Sequence, residues 1–115
     1  MTEILHITER DAWDEGLAAG EYRMSTRGVT LEQEGFIHCS LPHQLRGVAE
    51  TFYRDADDLV VLVIDSEKLA APVRYERPEP SAEEYPHIYG AVPPDAVTRV
   101  IDVSRDAAGR MVLPY

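Results

Sequence analysis

The sequence predicts an α+β fold: a single domain with a mixed or antiparallel β-sheet core and two main helices. Three observations predict it. The unbroken apolar run Leu59-Val60-Val61-Leu62-Val63-Ile64, closed by Asp65, is too short for a buried helix and reads as a central strand covered on both faces. Leu45, Val48, Ala49, Phe52 and Tyr53 recur at i, i+3, i+4, i+7 and i+8, the spacing of a helix with one apolar face. Val97 to Val103 sets Val97, Arg99, Ile101 and Val103 against Thr98, Val100 and Asp102, and Ala107-Ala108-Gly109 then turns the chain into Met111-Val112-Leu113 as a terminal hairpin. Helices fall near the front and strands dominate the back, as an α+β architecture requires.

Each element has a local reason. Ile4 to Ile7 is the first strand, with Thr8 as the expected N-cap of a helix that carries Trp13 and Leu17 four residues apart and stops at Gly20. Thr30 caps a short helical turn ending at Gly35, and Phe36 to Cys39 forms a second strand. Ser40 is the expected cap of the stronger helix, with Pro42 in its first turn and Arg46, Glu50 and Arg54 on its solvated side. Val73 to Glu76 is a weaker strand. A polar loop through Pro78, Pro80, Ser81, Glu83 and Glu84 leads to a strand holding His87, and Pro93-Pro94-Asp95 turns the chain into Val97.

Composition narrows the function classes. A chain of 115 residues, 44% hydrophobic and 28% charged, is one ordinary globular domain. Its net charge of −10 repels phosphate backbones and anionic lipid, so neither nucleic acid nor membrane is an expected partner. No apolar run reaches transmembrane length, Met1-Thr2-Glu3 is not the basic start of a signal peptide, and one cysteine, Cys39, forms no internal disulfide. The expected location is the cytoplasm, and the oligomeric state stays open.

Three histidines lie in short apolar runs: Ile4-Leu5-His6-Ile7-Thr8, Gly35-Phe36-Ile37-His38-Cys39-Ser40 and Tyr85-Pro86-His87-Ile88-Tyr89-Gly90. Strand alternation puts His6 with Thr8, His38 with Ser40 and His87 with Tyr89, while Leu5, Ile7, Ile37 and Ile88 point the other way. The expectation is one apolar face and one face of imidazoles and hydroxyls, able to grip a sugar hydroxyl or move a proton. His38 is the catalytic candidate; His6, Thr8, Ser40, His87 and Tyr89 are binding candidates. The competing reading makes the histidines satisfied structural residues, and His43 reads as surface.

Other chemistries fit less well. His38 and Cys39 are adjacent on one strand and point to opposite faces, and no C-x-x-C or H-E-x-x-H spacing occurs, so no metal site is expected. Cys39 shares the Ile37 face and reads as a small core hydrophobe rather than a nucleophile. There is no G-x-S-x-G elbow, G-x-G-x-x-G or P-loop.

The opening Leu5-His6-Ile7-Thr8 with Trp13, Ala19-Gly20-Glu21-Tyr22, Glu34 to Ser40, Gly47-Val48-Ala49, Phe52-Tyr53, Leu62 to Asp65 and Pro86 to Gly90 together resemble the domain-of-unknown-function 952 family over nearly the whole chain. That resemblance implies a small member of the ADP-ribosyltransferase fold group, similar at the level of fold to the RNA 2'-phosphotransferases, which use NAD. It implies that His6 contacts the nicotinamide-side ribose, although Ile7 stands where those relatives carry glycine. It further implies that His38 matches a second polar position, that Tyr89 or Trp13 stacks on a flat ring, and that Glu34 and Glu76 are candidates for a transferase glutamate. A small-molecule ligand, with NAD as the implied cofactor, and a non-catalytic binding or protein-interaction module are the two function classes carried forward. Some members of the family are labelled glutathione S-transferase-like, but this chain is too short for that two-domain architecture.

Overall fold

The computed structural model describes residues 2–78 and 83–115. The chain runs through β1 (Glu3–Glu9), α1 (Arg10–Ala19), β2 (Met24–Thr26), β3 (Val29–Thr30), α2 (Leu31–Glu34), β4 (Ile37–His38) and α3 (Leu45–Phe52). It continues through β5 (Leu59–Asp65), β6 (Val73–Glu76), β7 (Tyr85–Ile88), β8 (Val97–Asp102), β9 (Ser104–Arg105) and β10 (Met111–Val112). Short 3-10 turns occupy Pro42–Gln44, Ser66–Lys68 and Pro94–Ala96.

The apolar run becomes β5, buried along its whole length and hydrogen-bonded on both edges in a sheet ordered β1-β5-β8. A second three-stranded sheet is ordered β4-β7-β6, and every strand pairing among the described residues is antiparallel. The two sheets are stitched at one point, where Leu5 and Ser40 exchange both backbone hydrogen bonds, at 2.9 and 2.7 Å. The α+β class and its antiparallel sheets are as predicted. No helix among the described residues is long and apolar enough to cross a membrane.

Two apolar clusters lie on opposite sides of β1 and β5. Leu5, Ile7, Val61 and Val63 pack under Leu45, Val48, Ala49 and Tyr53 of the α3 region, whose helical spacing was legible. Ile4, Val60, Leu62 and Ile64 pack with Trp13, Tyr22, Ile37, Cys39 and Ile88. The expected split holds in β1, with Leu5 and Ile7 on one side and His6 and Thr8 on the other, but both faces are buried and the imidazole–hydroxyl side lies in the core. His6 and Thr8 point into the second cluster, where Tyr22 supplies the polar partner that makes their burial tolerable.

Four local expectations are corrected. Thr8 does not cap α1: β1 stays paired with β5 as far as Glu9↔Leu59, Glu9 takes the N-cap position, and the Thr8 side chain turns to Tyr22. Ser40 does not cap α3, because its backbone is committed to Leu5; instead the Gln44 carboxamide accepts from the Leu41 N–H, and a 3-10 turn precedes the helix. Leu17 and Phe52 lie on the outer sides of their helices and are exposed, and the residue buried beside Trp13 is Gly16. Gly16 is needed there for close approach, since a Cβ would lie 3.1 Å from the Tyr22 Cα. The second strand is shorter than expected, and β2 with β3, turning at Gly28 with φ 73°, precedes it.

The remaining turns follow their chemistry. Gly20 and Gly35 end α1 and α2 in the left-handed region, and Thr30 with Gln33 forms a reciprocal capping box. The terminal hairpin is held by the Asp106 carboxylate, which accepts from the Ala108 and Arg110 N–H groups, both at 2.9 Å. Of the expected polar loop, Pro78, Glu83 and Glu84 are described, whereas Pro80 and Ser81 lie outside the described residues.

Candidate functional site

Antiparallel pairing of β4 with β7 sets His38 directly opposite His87, so the two side chains stand on the same side of the small sheet. His38 Nδ1 lies 3.2 Å from His87 Nε2, and His87 Nδ1 lies 2.8 Å from Glu76 Oε1 on β6. Tyr89 donates its hydroxyl to the same Glu76 oxygen. Phe36 stacks on the His87 ring at 4.0 Å and 17° and fixes its plane. Arg74 lies over the Tyr89 ring at 5.0 Å.

The carboxylate fixes the proton order along this row. Glu76 only accepts, so His87 Nδ1 carries the proton and His87 Nε2 is an acceptor; His38 Nδ1–H then donates to it, leaving the His38 Nε2 lone pair free. Hydrogen bonds from Tyr89, and next from His87, hold the Glu76 carboxyl below its ordinary range. Burial foremost, followed by His87 and His6, pushes His38 down to about 4, so it is neutral at pH 7.

His38 Nε2 has no hydrogen-bond partner among the described residues and is not enclosed. His38 lines a cavity of about 680 Å³, within the usual range for small-molecule sites. Its walls come from Ser25 and Thr26 of β2, Glu34 at the end of α2, Tyr85 and the outward side of α3, where exposed Phe52 belongs. A smaller cavity of about 340 Å³ lies beside the terminal hairpin, where Arg105 donates to the carbonyls of Arg54, Ala56 and Gly109, and Arg110 faces Glu50.

The other candidates support this site from behind. His6 Nδ1 donates to the His38 carbonyl at 2.7 Å, and His6 Nε2 lies 2.7 Å from the Tyr22 hydroxyl, which is also 2.7 Å from Thr8 Oγ1. Burial pushes His6 down to about 4. Neutral His6 gives its one proton to the carbonyl, so Tyr22 turns its hydroxyl hydrogen toward Nε2 and Thr8 donates to Tyr22. Both His6 nitrogens are thereby occupied, and the ring meets the site only through the His38 backbone. Ser40 is buried at the junction of the two sheets, His87 and Tyr89 stand behind His38, and Trp13 packs on Tyr22.

Of the two glutamates implied by the resemblance, Glu34 borders the cavity and Glu76 anchors the histidine row. Ser25 and Tyr85 were not singled out by the sequence; β2 has only three residues, too few for alternation to register. Exposed His43 pairs with Glu83 at 2.6 Å. Cys39 is 1% exposed within the core, where burial pushes its thiol up, as expected of a small hydrophobe. Among the described residues no group of three or more His, Cys, Asp or Glu side chains converges as a metal-binding set.

The fold and site define a small α+β protein with two antiparallel sheets and a carboxylate-anchored histidine pair at the edge of a cavity. The chain belongs to the DUF952 family, described as a protein of unknown function, whose profile matches residues 7–100. It is similar to protein CC0527 from Caulobacter crescentus, whose crystal structure superposes with a TM-score of 0.83 at 30% identity, covering 97% of this chain and 95% of that one. The solution NMR structure of CC0527 gives a TM-score of 0.77 at 31% identity, covering 96% and 91%. None of the curated proteins matches the chain.

Proposed function

We propose that the cavity at His38 binds a small N-ribosyl ligand, such as the nicotinamide–ribose end of NAD, and that His38 is its acid–base group in an ADP-ribosyl-transfer type of reaction. The observation that carries this reading is the unpartnered Nε2 of a neutral His38 beside a ligand-sized cavity, with Nδ1 tied through His87 to Glu76. The resemblance to the ADP-ribosyltransferase fold group supports the choice of ligand. The net charge of −10 favours a ligand free in solution over one carried on RNA. A reduced, buried Cys39 suits the cytoplasm as the working compartment.

The bond from the anomeric carbon to the pyridinium nitrogen breaks, and its electron pair leaves with nicotinamide. The oxygen of water or of an acceptor hydroxyl bonds the same carbon and gives its proton to His38 Nε2. Neutral at pH 7, His38 keeps its lone pair available and adds no positive charge to repel the cationic, oxocarbenium-like centre, although its low basicity weakens it as a base. The Glu34 carboxylate beside the cavity attracts that centre.

Calorimetry with nicotinamide riboside, NAD and nicotinamide, run alongside an assay of nicotinamide release, tests the reading. His38→Ala is expected to lower release roughly 10²- to 10⁴-fold while affinity stays within a few fold. Ligand at about 100 times its dissociation constant should stabilise the fold by roughly 2.7 kcal/mol. Absence of saturable binding at millimolar ligand would overturn the reading. Saturable binding with no release in the wild type would leave a non-catalytic binding module, a reading the low basicity of His38 favours.

A further inference from the structure

From the charge and hydrogen bonding of the cavity wall we infer that its ligand is a phosphate-free, neutral or cationic N-glycoside, anchored by the Ser25 hydroxyl. The inference rests on the small-molecule reading of the His38 site and alters its donor: a phosphate-free ligand makes the transferred group a ribosyl rather than an ADP-ribosyl group. Ser25 is 1% exposed, and its Oγ is the buried side-chain polar atom without a hydrogen-bond partner among the described residues. A buried hydroxyl left unpaired is unfavourable, and native proteins rarely keep one. Ser25 belongs to the wall of the cavity that His38 also lines, and β2 packs beside β4. Ser25 Oγ is closed off from the cavity, so a ligand hydroxyl or amide reaches it with a small shift of the wall and restores the missing hydrogen bond, while a ligand donor reaching His38 Nε2 meets a lone pair.

The charge of the wall sets the ligand class. Among the described lining residues Glu34 alone is charged, and no arginine or lysine takes part. Arg27, next to Thr26, is committed to Asp55 at 2.6 Å and lies 3.4 Å from the Phe52 carbonyl. A phosphate here would meet a carboxylate and a neutral imidazole, with no guanidinium or ammonium among the described lining residues to receive it. A ribosylated pyridinium brings a positive charge to Glu34, hydroxyls to Ser25 and a flat ring to Phe52 and Tyr85.

The test compares nicotinamide riboside with nicotinamide mononucleotide, which differ by one 5'-phosphate, on the wild type and on Ser25→Ala. The riboside is expected to bind at least tenfold tighter than the mononucleotide. Ser25→Ala should weaken riboside binding roughly tenfold while its Tm stays level or rises, because the change removes an unpaired buried hydroxyl. Equal or tighter binding of the mononucleotide would overturn the inference yet leave the small-molecule reading standing. So would wild-type riboside affinity in Ser25→Ala, or a lowered Tm in that variant, which would mean the hydroxyl is already satisfied. Failure of both compounds to bind would overturn the inference and the broader reading together.

Discussion

Lowering the pH from 7 to 5 is expected to remove about 2 kcal/mol of stability through His6 alone. Above pH 6.5 the ring is neutral in both the folded and unfolded chain and contributes no pH dependence. Below that value the unfolded chain takes up a proton that the folded chain refuses until pH falls to about 4. Stability therefore falls by about 1.4 kcal/mol per pH unit across this window, reaching roughly 3 kcal/mol at its end. His38 is shifted in the same direction and steepens the slope. Carboxylates held down by partners, among them Glu76, Glu83 and Asp55, lose their contribution only below their ordinary range near pH 4, so the interval from 6.5 to 5 isolates the histidines. Urea unfolding at several pH values measures the slope, and His6→Gln should flatten it. Stability independent of pH from 7 to 5 would contradict the buried neutral state of His6.

Replacing Tyr22 by phenylalanine is expected to lower stability by about 2–4 kcal/mol, although the ring and its packing on Trp13 remain. The lost hydroxyl bridges His6 Nε2 and Thr8 Oγ1 inside the core, so its removal leaves two buried polar atoms short of a partner. Each unpaired atom costs about 1–3 kcal/mol, offset in part if the Thr8 hydroxyl rotates. Thr8→Val in the Tyr22→Phe background should then cost less than in the wild type, a non-additivity that a double-mutant cycle reads directly. A Tyr22→Phe change of less than 0.5 kcal/mol would show that the bridge is not a structural determinant.

The elements legible in the sequence share one property: their pattern is long enough to repeat. Leu59 to Ile64, the α3 stripe ending at Tyr53, and the hairpin closed by Gly109 each carry a period or turn signal within one segment. His6, His38 and His87 were placed on strands for the same reason. What could not be read is long-range partnering. Tyr22 sits in the connection after α1, and nothing local marks it as the partner of Thr8 and His6, 14 and 16 residues away. The alternation in β1 was right, but its consequence was not, because α3 covers one face and the Tyr22 cluster the other. The caps assigned to Thr8 and Ser40 failed because strand pairing and the Leu5–Ser40 junction took precedence over local capping chemistry.

Tertiary pairing also divides the six site candidates. The β4–β7 register joins His38, His87 and, through Glu76, Tyr89, while the Tyr22 hydroxyl and the Leu5 backbone hold His6, Thr8 and Ser40 below them.

The most direct measurement of the central claim is a long-range ¹H–¹⁵N NMR experiment on the histidine rings at pH 7, recorded before and after nicotinamide riboside is added. His38 is expected to be neutral, with the proton on Nδ1 and the lone pair on Nε2, and the riboside to move the Nε2 resonance while the His6 nitrogens stay fixed. A His38 protonated at Nε2, or riboside binding that leaves the His38 nitrogens unmoved, would contradict that claim.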